Sequence, residues 1–276
     1  MPLVIDACLA HDIGDRTEQQ DLAAIIKHPR GALLAVLADG MGGHTGGALA
    51  SSQVVHTFRN NFEHFSIQED SPSGLLNTCL NEAHTLIKTS RFISEQDPHS
   101  TAVALLITPG KAHWVHCGDS RLYHFQGDQL VQRTSDHSYV ESLVQKKIIS
   151  EQEALIHPRR NMLLSALGGE ENPLISMDAS NPLHAGDSFL LSSDGLWHYF
   201  TSEELGMIVS AYSARESSEM LVAHARKRAH GEGDNISLII IKLLEAPSPN
   251  QGPPHTNRVR IDSRNRMRID SRFPDN

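Results

Sequence analysis

An apolar run that ends in an aspartate and a glycine-rich loop constrains this chain most. Residues 32–38 are all apolar, Asp39 follows them directly, and five glycines lie between positions 40 and 47. A short apolar run bounded by turn residues is typical of a buried strand, although a buried helix segment would share the pattern. Glycines at this density indicate backbone that turns tightly or lies close to another group. A carboxylate at the end of a buried strand needs a partner for its charge, and a divalent cation is a common one.

Two phosphate-binding interpretations of this loop fit the sequence poorly. A Walker loop requires a lysine after its second glycine, and no lysine occurs between Gly31 and Phe65. A dinucleotide fingerprint counted from Gly40 fails because Thr45 stands in place of its last glycine. A purely structural turn is the remaining alternative, so the other motifs of the chain have to decide.

Length and composition indicate a soluble globular protein of a reducing compartment. The 276 residues, with 39% apolar and 21% charged, are enough for one large domain or two small ones. The net charge of −9 disfavours nucleic acid as the main partner. Three cysteines, odd in number and far apart, favour a cytoplasmic chain without disulfides. No apolar segment approaches the roughly 20 residues of a membrane span, and no secretion signal opens the chain.

Short strands alternate with helix pairs along most of the sequence. Strands are predicted over 3–10, 21–26, 32–38, 101–108, 111–117, 122–126, 129–132, 187–192 and 235–241, and helices over 47–65, 72–94, 138–147, 150–156, 202–210 and 217–229. Hairpin turn signals such as Pro109-Gly110 and Gly127-Asp128 separate several of the strands. This order predicts a mainly antiparallel, layered α+β fold.

The last segment has a different character. Residues 246–276 hold five of the thirteen prolines and six arginines against three acids, and a five-residue segment that begins at Arg260 recurs at Arg268. Such composition is typical of disorder, so we predict a folded domain over 1–245 and a disordered tail over 246–276. The tail is either a solvated segment without specific contacts or an arm that contacts an acidic surface.

Three aspartates share one sequence context. Asp39 and Asp194 each follow an apolar run and precede a glycine, whereas Asp234 follows Gly233 just before the last predicted strand. Carboxylates at the strand ends of one sheet system can meet at a common rim. Hard oxygen ligands without a cysteine and histidine cluster suit Mg²⁺ or Mn²⁺ rather than zinc. The sequence therefore predicts a divalent-metal site built from these aspartates.

Seven short motifs follow one another between residues 8 and 241. They are Arg16 with Asp21, Asp39-Gly40-Met41-Gly42-Gly43-His44, Ser100-Thr101, Gly118-Asp119-Ser120-Arg121, Asp136-His137-Ser138, Ser193-Asp194-Gly195-Leu196-Trp197 and Gly233-Asp234-Asn235. In content and order this set resembles the metal-dependent protein serine/threonine phosphatases of type 2C in their bacterial form. The resemblance implies a four-layer α-β-β-α sandwich, in which helix pairs flank two mainly antiparallel sheets and the metal ions lie in the cleft between the sheets.

The resemblance also implies a ligand set for two Mn²⁺ or Mg²⁺ ions. By position, Asp39 would bridge both ions and the carbonyl of Gly40 would bind the second. Asp194 and Asp234 would hold the first ion, and Asp21 would act mostly through metal-bound water. The chemistry that such ions supply is activation of a water for in-line attack on phosphorus.

Other roles follow from the same resemblance. Arg16 would bind the substrate phosphate through two hydrogen bonds. Asp119 would contribute to a third metal site, although His198 stands where some relatives carry an aspartate. His44 is the candidate for the general acid. Residues 19–20 are glutamines where many members carry asparagine and glutamate, which would weaken the second ion's outer shell.

The implied activity is hydrolysis of phosphoserine and phosphothreonine in proteins, in opposition to a bacterial serine/threonine kinase. The expected partners are phosphoproteins, including a cognate kinase or its substrates, and the chain is expected to be a monomer. Two alternatives remain open at this point. One is a catalytically weak module on the same fold that binds or senses phosphoproteins, and the other is a two-metal phosphoesterase that acts on small molecules or nucleotides.

Overall fold

The computed structural model describes residues 3–43, 45–91 and 96–246. Its strands are β1 (Leu3–Asp12), β2 (Asp21–Lys27), β3 (Leu33–Met41), β4 (His99–Ser100), β5 (Ala102–Thr108), β6 (Lys111–Cys117), β7 (Arg121–Gln126), β8 (Gln129–Arg133), β9 (Ser176–Ser180), β10 (Asp187–Ser192) and β11 (Ile236–Glu245). Its helices are α1 (Gly46–Glu63), α2 (Pro72–Ser90), α3 (Tyr139–Gln145), α4 (Glu151–Leu155), α5 (Asp194–Trp197), α6 (Ser202–Ala211) and α7 (Ala214–Ala229).

The strands form two sheets in which every described strand pair is antiparallel. One sheet has the order β1-β11-β10-β7-β8, and the other has the order β2-β3-β5-β6-β9, with the short β4 paired to β3. The register between β2 and β3 places Asp21 directly opposite Asp39. Two of the predicted site residues are therefore neighbours because of strand pairing alone.

Three apolar layers hold the sheets and helices together. One layer lies between the second sheet and α1 with α2, another lies between the two sheets, and the last lies between the first sheet and α5 to α7. Along β3, Leu34 and Val36 pack toward the helices, whereas Leu33 and Leu37 pack toward the other sheet. A strand that is buried on both faces reads as a continuous apolar run, which explains the sequence ahead of Asp39. The predicted four-layer α-β-β-α architecture is confirmed.

The predicted element boundaries mostly agree with the structure to within a few residues. Two strands, β6 and β10, begin and end where the sequence predicts. The helix expected from residue 217 begins at Ala214, because Ser213 and Glu216 form a capping box that starts α7 earlier. No pattern in the sequence predicts β4, β9 or α5, because these elements are short or polar and carry little periodic signal.

Residues up to Glu245 cluster into one compact unit. Among the described residues, no helix combines the length and the apolar content needed to cross a bilayer. The predicted disordered tail lies, apart from Ala246, outside the described residues and stays a prediction.

Candidate active site

Hydrogen bonds from a neighbouring motif fix the backbone of Asp39 at the end of β3. Its N–H donates to Thr101 Oγ1 at 3.1 Å, and its carbonyl oxygen accepts from the Thr101 N–H at 2.8 Å and from Ser100 Oγ at 3.1 Å. The Thr101 hydroxyl in turn shares a hydrogen bond of 2.7 Å with Ser120. The Ser100-Thr101 motif therefore holds the aspartate in place, a role that the sequence pattern does not indicate.

Close backbone contacts explain two glycines of the loop after Asp39. A Cβ atom added to Gly40 would lie 1.9 Å from the carbonyl oxygen of Gly47, in the first turn of α1. A Cβ atom added to Gly42, which has a φ of 128°, would lie 2.3 Å from the carbonyl oxygen of Asp97. Both contacts are far shorter than any real Cβ contact, so a side chain at either position would displace the loop.

One cleft gathers most of the predicted site residues. It has a volume of about 270 Å³, and its lining includes Arg16, Asp39, Gly40, Asp119, Asp194 and Asp234. Asp21 lies opposite Asp39 in the pairing of β2 with β3, is only 6% exposed and accepts a hydrogen bond from Ser193 Oγ at 2.7 Å. His44 lies outside the described residues, so its predicted role as general acid stays a prediction.

Burial and mutual repulsion raise the pKa values of these carboxyl groups. Burial raises the pKa of Asp21 to about 7, and the charges of Asp194 and Asp234 add to the shift. Burial also raises the pKa of Asp39 well above its usual range, with further contributions from Asp21 and Asp194. The pKa of Asp194 rises to about 6 because of burial and the charge of Asp234, although the Gly195 N–H and Arg16 oppose the rise. The cluster is therefore short of positive charge.

Asp119 enters the same cleft from the turn between β6 and β7. Burial raises the pKa of its carboxyl group, and the charges of Asp194 and Asp136 raise it further. Its carbonyl oxygen accepts a hydrogen bond of 3.0 Å from Trp197 Nε1. The guanidinium of Arg121 lies 3.4 Å from the centre of the Trp197 ring and forms a bidentate pair with Asp136 at 2.8 and 2.7 Å. Arg121 is thus a structural support for this turn.

A loop between β1 and β2 presents Arg16 to the cleft. The side chain of Arg16 is 61% exposed, and its Nη2 atom lies 2.6 Å from Oδ2 of Asp234. Asn235, which is 5% exposed, accepts from the Gln20 N–H at 2.8 Å and donates to the carbonyl oxygens of Ile13 at 2.8 Å and Glu18 at 3.0 Å. The guanidinium is therefore open to solvent at its tip, whereas its loop is attached to the residue before β11 by three hydrogen bonds.

The donor set of the cleft fits divalent cations. Within the described ranges 3–43, 45–91 and 96–246, no three histidine, cysteine, aspartate or glutamate side chains already converge closely enough to hold an ion between them. The carboxylates of Asp39, Asp194 and Asp234 nevertheless line one cleft and offer only hard oxygen atoms, the ligands that Mg²⁺ and Mn²⁺ prefer. The charges of Asp194 and Asp234 raise the pKa of Asp39, and the charge of Asp234 raises the pKa of Asp194, so a cation would remove a repulsion that Arg16 relieves only in part.

Several residues that build the site have no role predicted from the sequence. Ser193 holds Asp21, and Asn235 holds the Arg16 loop. Asn161 and Leu163 line the cleft from the segment after α4. Motifs pointed to the first two residues, whereas the irregular segment around Asn161 carries no pattern that could have indicated its position.

The fold is a sandwich of two sheets, and its cleft carries a cluster of aspartates with Arg16 at the rim of the cleft. These two features together indicate the class of protein. A family model described as protein phosphatase 2C matches residues 10–229 of this chain. The serine/threonine protein phosphatase PstP of Mycobacterium tuberculosis is 31% identical over 222 residues, which are 78% of this chain and 41% of PstP.

Solved structures agree with this match. The serine/threonine phosphatase Stp1 from Staphylococcus aureus superposes with a TM-score of 0.80 at 26% identity, covering 88% of this chain and 96% of that chain. The catalytic domain of the phosphatase PstP, solved in complex with two manganese ions, gives a TM-score of 0.74 at 27% identity and covers 88% of this chain and 100% of that chain.

This chain belongs to the protein phosphatase 2C family. The resemblance read from the seven motifs, to bacterial serine/threonine phosphatases of type 2C, is confirmed. The chain spans about two fifths of the length of the curated relative PstP, which it matches.

Proposed function

We propose that this chain hydrolyses phosphoserine and phosphothreonine in proteins with a water activated by divalent cations. The observation that carries the proposal is the cleft in which Asp39, Asp194 and Asp234 lie together beside the guanidinium of Arg16. Oxygen ligands for cations and a donor for phosphate are the two requirements of metal-assisted phosphate ester hydrolysis. The relative PstP, with its two manganese ions, supports the metal requirement.

We assign the metal ligands by position in the cleft. Asp39 would contact both ions, the carbonyl of Gly40 would bind the second, Asp194 and Asp234 would hold the first, and Asp21 would act mostly through metal-bound water. Cations held there would supply Lewis acidity and lower the pKa of a water for attack on phosphorus. The ions are Mn²⁺ or Mg²⁺, both of which accept such an oxygen set.

Arg16 has the geometry of a phosphate anchor. In the structure its guanidinium neutralises Asp234, and it is exposed enough to rotate toward a substrate. Its planar fork can donate two parallel hydrogen bonds to phosphate oxygens and balance charge that develops on them. The substrate would therefore replace Asp234 as its partner while cations neutralise the aspartate.

Asp119 is our candidate ligand for a third ion. Its carboxyl group lines the same cleft as that of Asp194, and burial together with the charge of Asp194 raises its pKa. Near them, His198 Nδ1 lies 3.8 Å from Asp194 Oδ2. That histidine stands where some relatives carry an aspartate, so a third ion would be held by Asp119 without that extra carboxylate.

The remaining functional assignments rest on the same reasoning. Phosphoproteins are the substrates, including a cognate serine/threonine kinase or its targets, and we place the reaction in the cytoplasm because Cys8, Cys79 and Cys117 are all unpaired. A monomeric state is our working assumption. The expectation that His44 serves as general acid is part of this proposal.

Hydrolysis of a phosphothreonine peptide and of p-nitrophenyl phosphate, each with Mn²⁺, Mg²⁺ or EDTA, tests the proposal. Wild type is compared with Asp39→Asn and Asp194→Asn, and Asp128→Asn in the exposed hairpin between β7 and β8 serves as the matched control. We expect activity that needs metal, prefers the peptide, disappears in the two cleft variants and persists in the control. Folded wild type that turns over neither substrate with any metal would instead indicate the binding module.

A further inference from the structure

The segment from Gly233 to Asn235 joins two parts of the cleft that the proposed reaction uses. Asp234, a candidate metal ligand, lies on this segment, and the loop that carries Arg16 is attached to the residues on either side of it. The Asp15 N–H donates to the Gly233 carbonyl at 2.9 Å, and the Gly233 N–H donates to Asp15 Oδ2 at 2.7 Å. The relative position of a metal ligand and the phosphate anchor is therefore set within three residues of chain.

The side chain of Asn235 also attaches the Arg16 loop to this segment. Its amide makes three hydrogen bonds to the backbone of the Arg16 loop, one as acceptor from Gln20 and two as donor to Ile13 and Glu18. These contacts bracket Arg16 on both sides along the chain. Since the Asn235 side chain is almost fully buried, water cannot take the place of these hydrogen bonds when they are lost.

Close packing leaves the loop little freedom to find another position. Gly14 has a φ of 69°, and a Cβ atom built on it would lie 2.0 Å from the carbonyl oxygen of Asp234. The side chain of Arg16 itself contributes little to its own placement, because it is mostly exposed and pairs with Asp234 through Nη2 at its tip. The position of the guanidinium therefore depends on the backbone that Asn235 holds.

We propose that Asn235 is a positioning residue for phosphate binding: its amide fixes the loop that aims Arg16 at the substrate, while Asp234 beside it faces the metal. The inference rests on the proposed phosphatase function and adds a residue that acts only through Arg16. Substitution of Asn235 should therefore weaken the binding of the phosphate group more than it slows turnover, because the carboxylate ligands stay in place.

A double-mutant cycle of Asn235→Ala and Arg16→Ala tests this role with p-nitrophenyl phosphate and Mn²⁺. In the presence of Arg16 we expect Asn235→Ala to raise KM about tenfold and to lower kcat less than threefold. In the Arg16→Ala background the same substitution should change KM less than twofold, because its effect passes through the missing arginine. Asn61→Ala is the matched control, since it removes side-chain hydrogen bonds to Thr57 and Glu82 from α1, away from the cleft.

Two further measurements separate positioning from a general loss of structure or of activity. Hydrogen exchange of residues 13–20 should increase at least tenfold in Asn235→Ala, whereas exchange of β3 and the affinity for Mn²⁺ should stay within twofold of wild type. Equal effects of Asn235→Ala with and without Arg16, or unchanged exchange in the loop, would overturn the inference. An inactive wild type would refute the phosphatase proposal, and the exchange measurement would still decide whether Asn235 holds the loop.

Discussion

Replacing Asp21 by asparagine should stabilise the metal-free protein at neutral pH. The carboxyl group is 6% exposed, and its pKa rises from 3.8 to about 7 because of burial and of the charges on Asp194 and Asp234. Between pH 4 and 7 the folded chain thus binds more protons at this group than the unfolded chain, so stability falls as pH rises through that window. Asp21→Asn removes the titrating group and keeps the shape and the acceptor for Ser193 Oγ.

The size of the effect follows from the shift. A change in pKa from 3.8 to about 7 corresponds to roughly 4 kcal/mol if it is taken whole. Because neighbouring carboxylates titrate in the same range and share the repulsion, we expect about 2–4 kcal/mol for Asp21 alone. For a domain of this size, that amounts to a difference of roughly 4–16 °C in Tm.

Thermal unfolding in EDTA at several pH values between 4 and 7.5 measures this directly. The variant and wild type should have similar Tm values near pH 4, and the variant should be progressively more stable as pH rises. Asp128→Asn, at an exposed turn, should follow wild type throughout. Parallel curves for wild type and Asp21→Asn, or a wild type that gains stability over the variant with rising pH, would show that Asp21 is not held in an unfavourable charged state.

Three further predictions concern the supports and limits of the site. Arg121→Ala should cost about 3–5 kcal/mol of stability by chemical denaturation, because it leaves the buried carboxylate of Asp136 unpaired, whereas Arg215→Ala on the exposed surface of α7 should leave the denaturation curve nearly unchanged. Asp119→Asn should lower the number of Mn²⁺ ions bound in equilibrium dialysis by one and leave the other ions in place. A chain without residues 247–276 should hydrolyse p-nitrophenyl phosphate at a rate within twofold of the full chain.

Each of these expectations can fail in a distinct way. Equal costs for the two arginine substitutions would mean that the pair of Arg121 with Asp136 contributes no more than a surface ion pair. An unchanged ion count in Asp119→Asn would remove Asp119 from the ligand set. Loss of activity or of phosphoprotein binding at low salt in the shortened chain would favour the arm that contacts an acidic surface.

The sequence predicted the fold well where one physical cause dominated. Continuous apolar runs indicated strands that are buried on both faces, and β10 begins and ends as predicted. The expectation that Asp39, Asp194 and Asp234 meet at one rim agrees with their common cleft, because strand ends of packed sheets fall on the same side. The glycines beside them were informative for a related reason, since Gly40 leaves room for the start of α1.

The parts that sequence reasoning missed depend on long-range contacts. Asn235 is separated by most of the chain from the Arg16 loop, which ends just before Asp21. No local sequence pattern can therefore show that Asn235 holds this loop. The two-residue β4 exists only because it pairs with the end of β3. Asn161 reaches the cleft from an irregular segment whose path is set by its contacts and leaves no periodic trace. Propensity and pattern cannot supply such information, because it lies in the tertiary structure.

The same packing that stabilises the fold makes the metal-free cleft unfavourable. Since β3 is buried on both faces and pairs with β2, Asp39 and Asp21 are forced together at the point where the strands leave the core. Burial raises the pKa of both carboxyl groups. The charge of Asp21 adds to the rise at Asp39, the charges of Asp194 and Asp234 add to the rise at both, and the Arg16 guanidinium at the rim offsets only part of the repulsion. A divalent cation that binds there gains from the relief of this repulsion, so affinity for the ion and instability of the metal-free protein have one origin. Variants that neutralise an aspartate of the cluster should therefore be more stable without metal and bind metal less tightly, and the two changes should grow together from one position to the next.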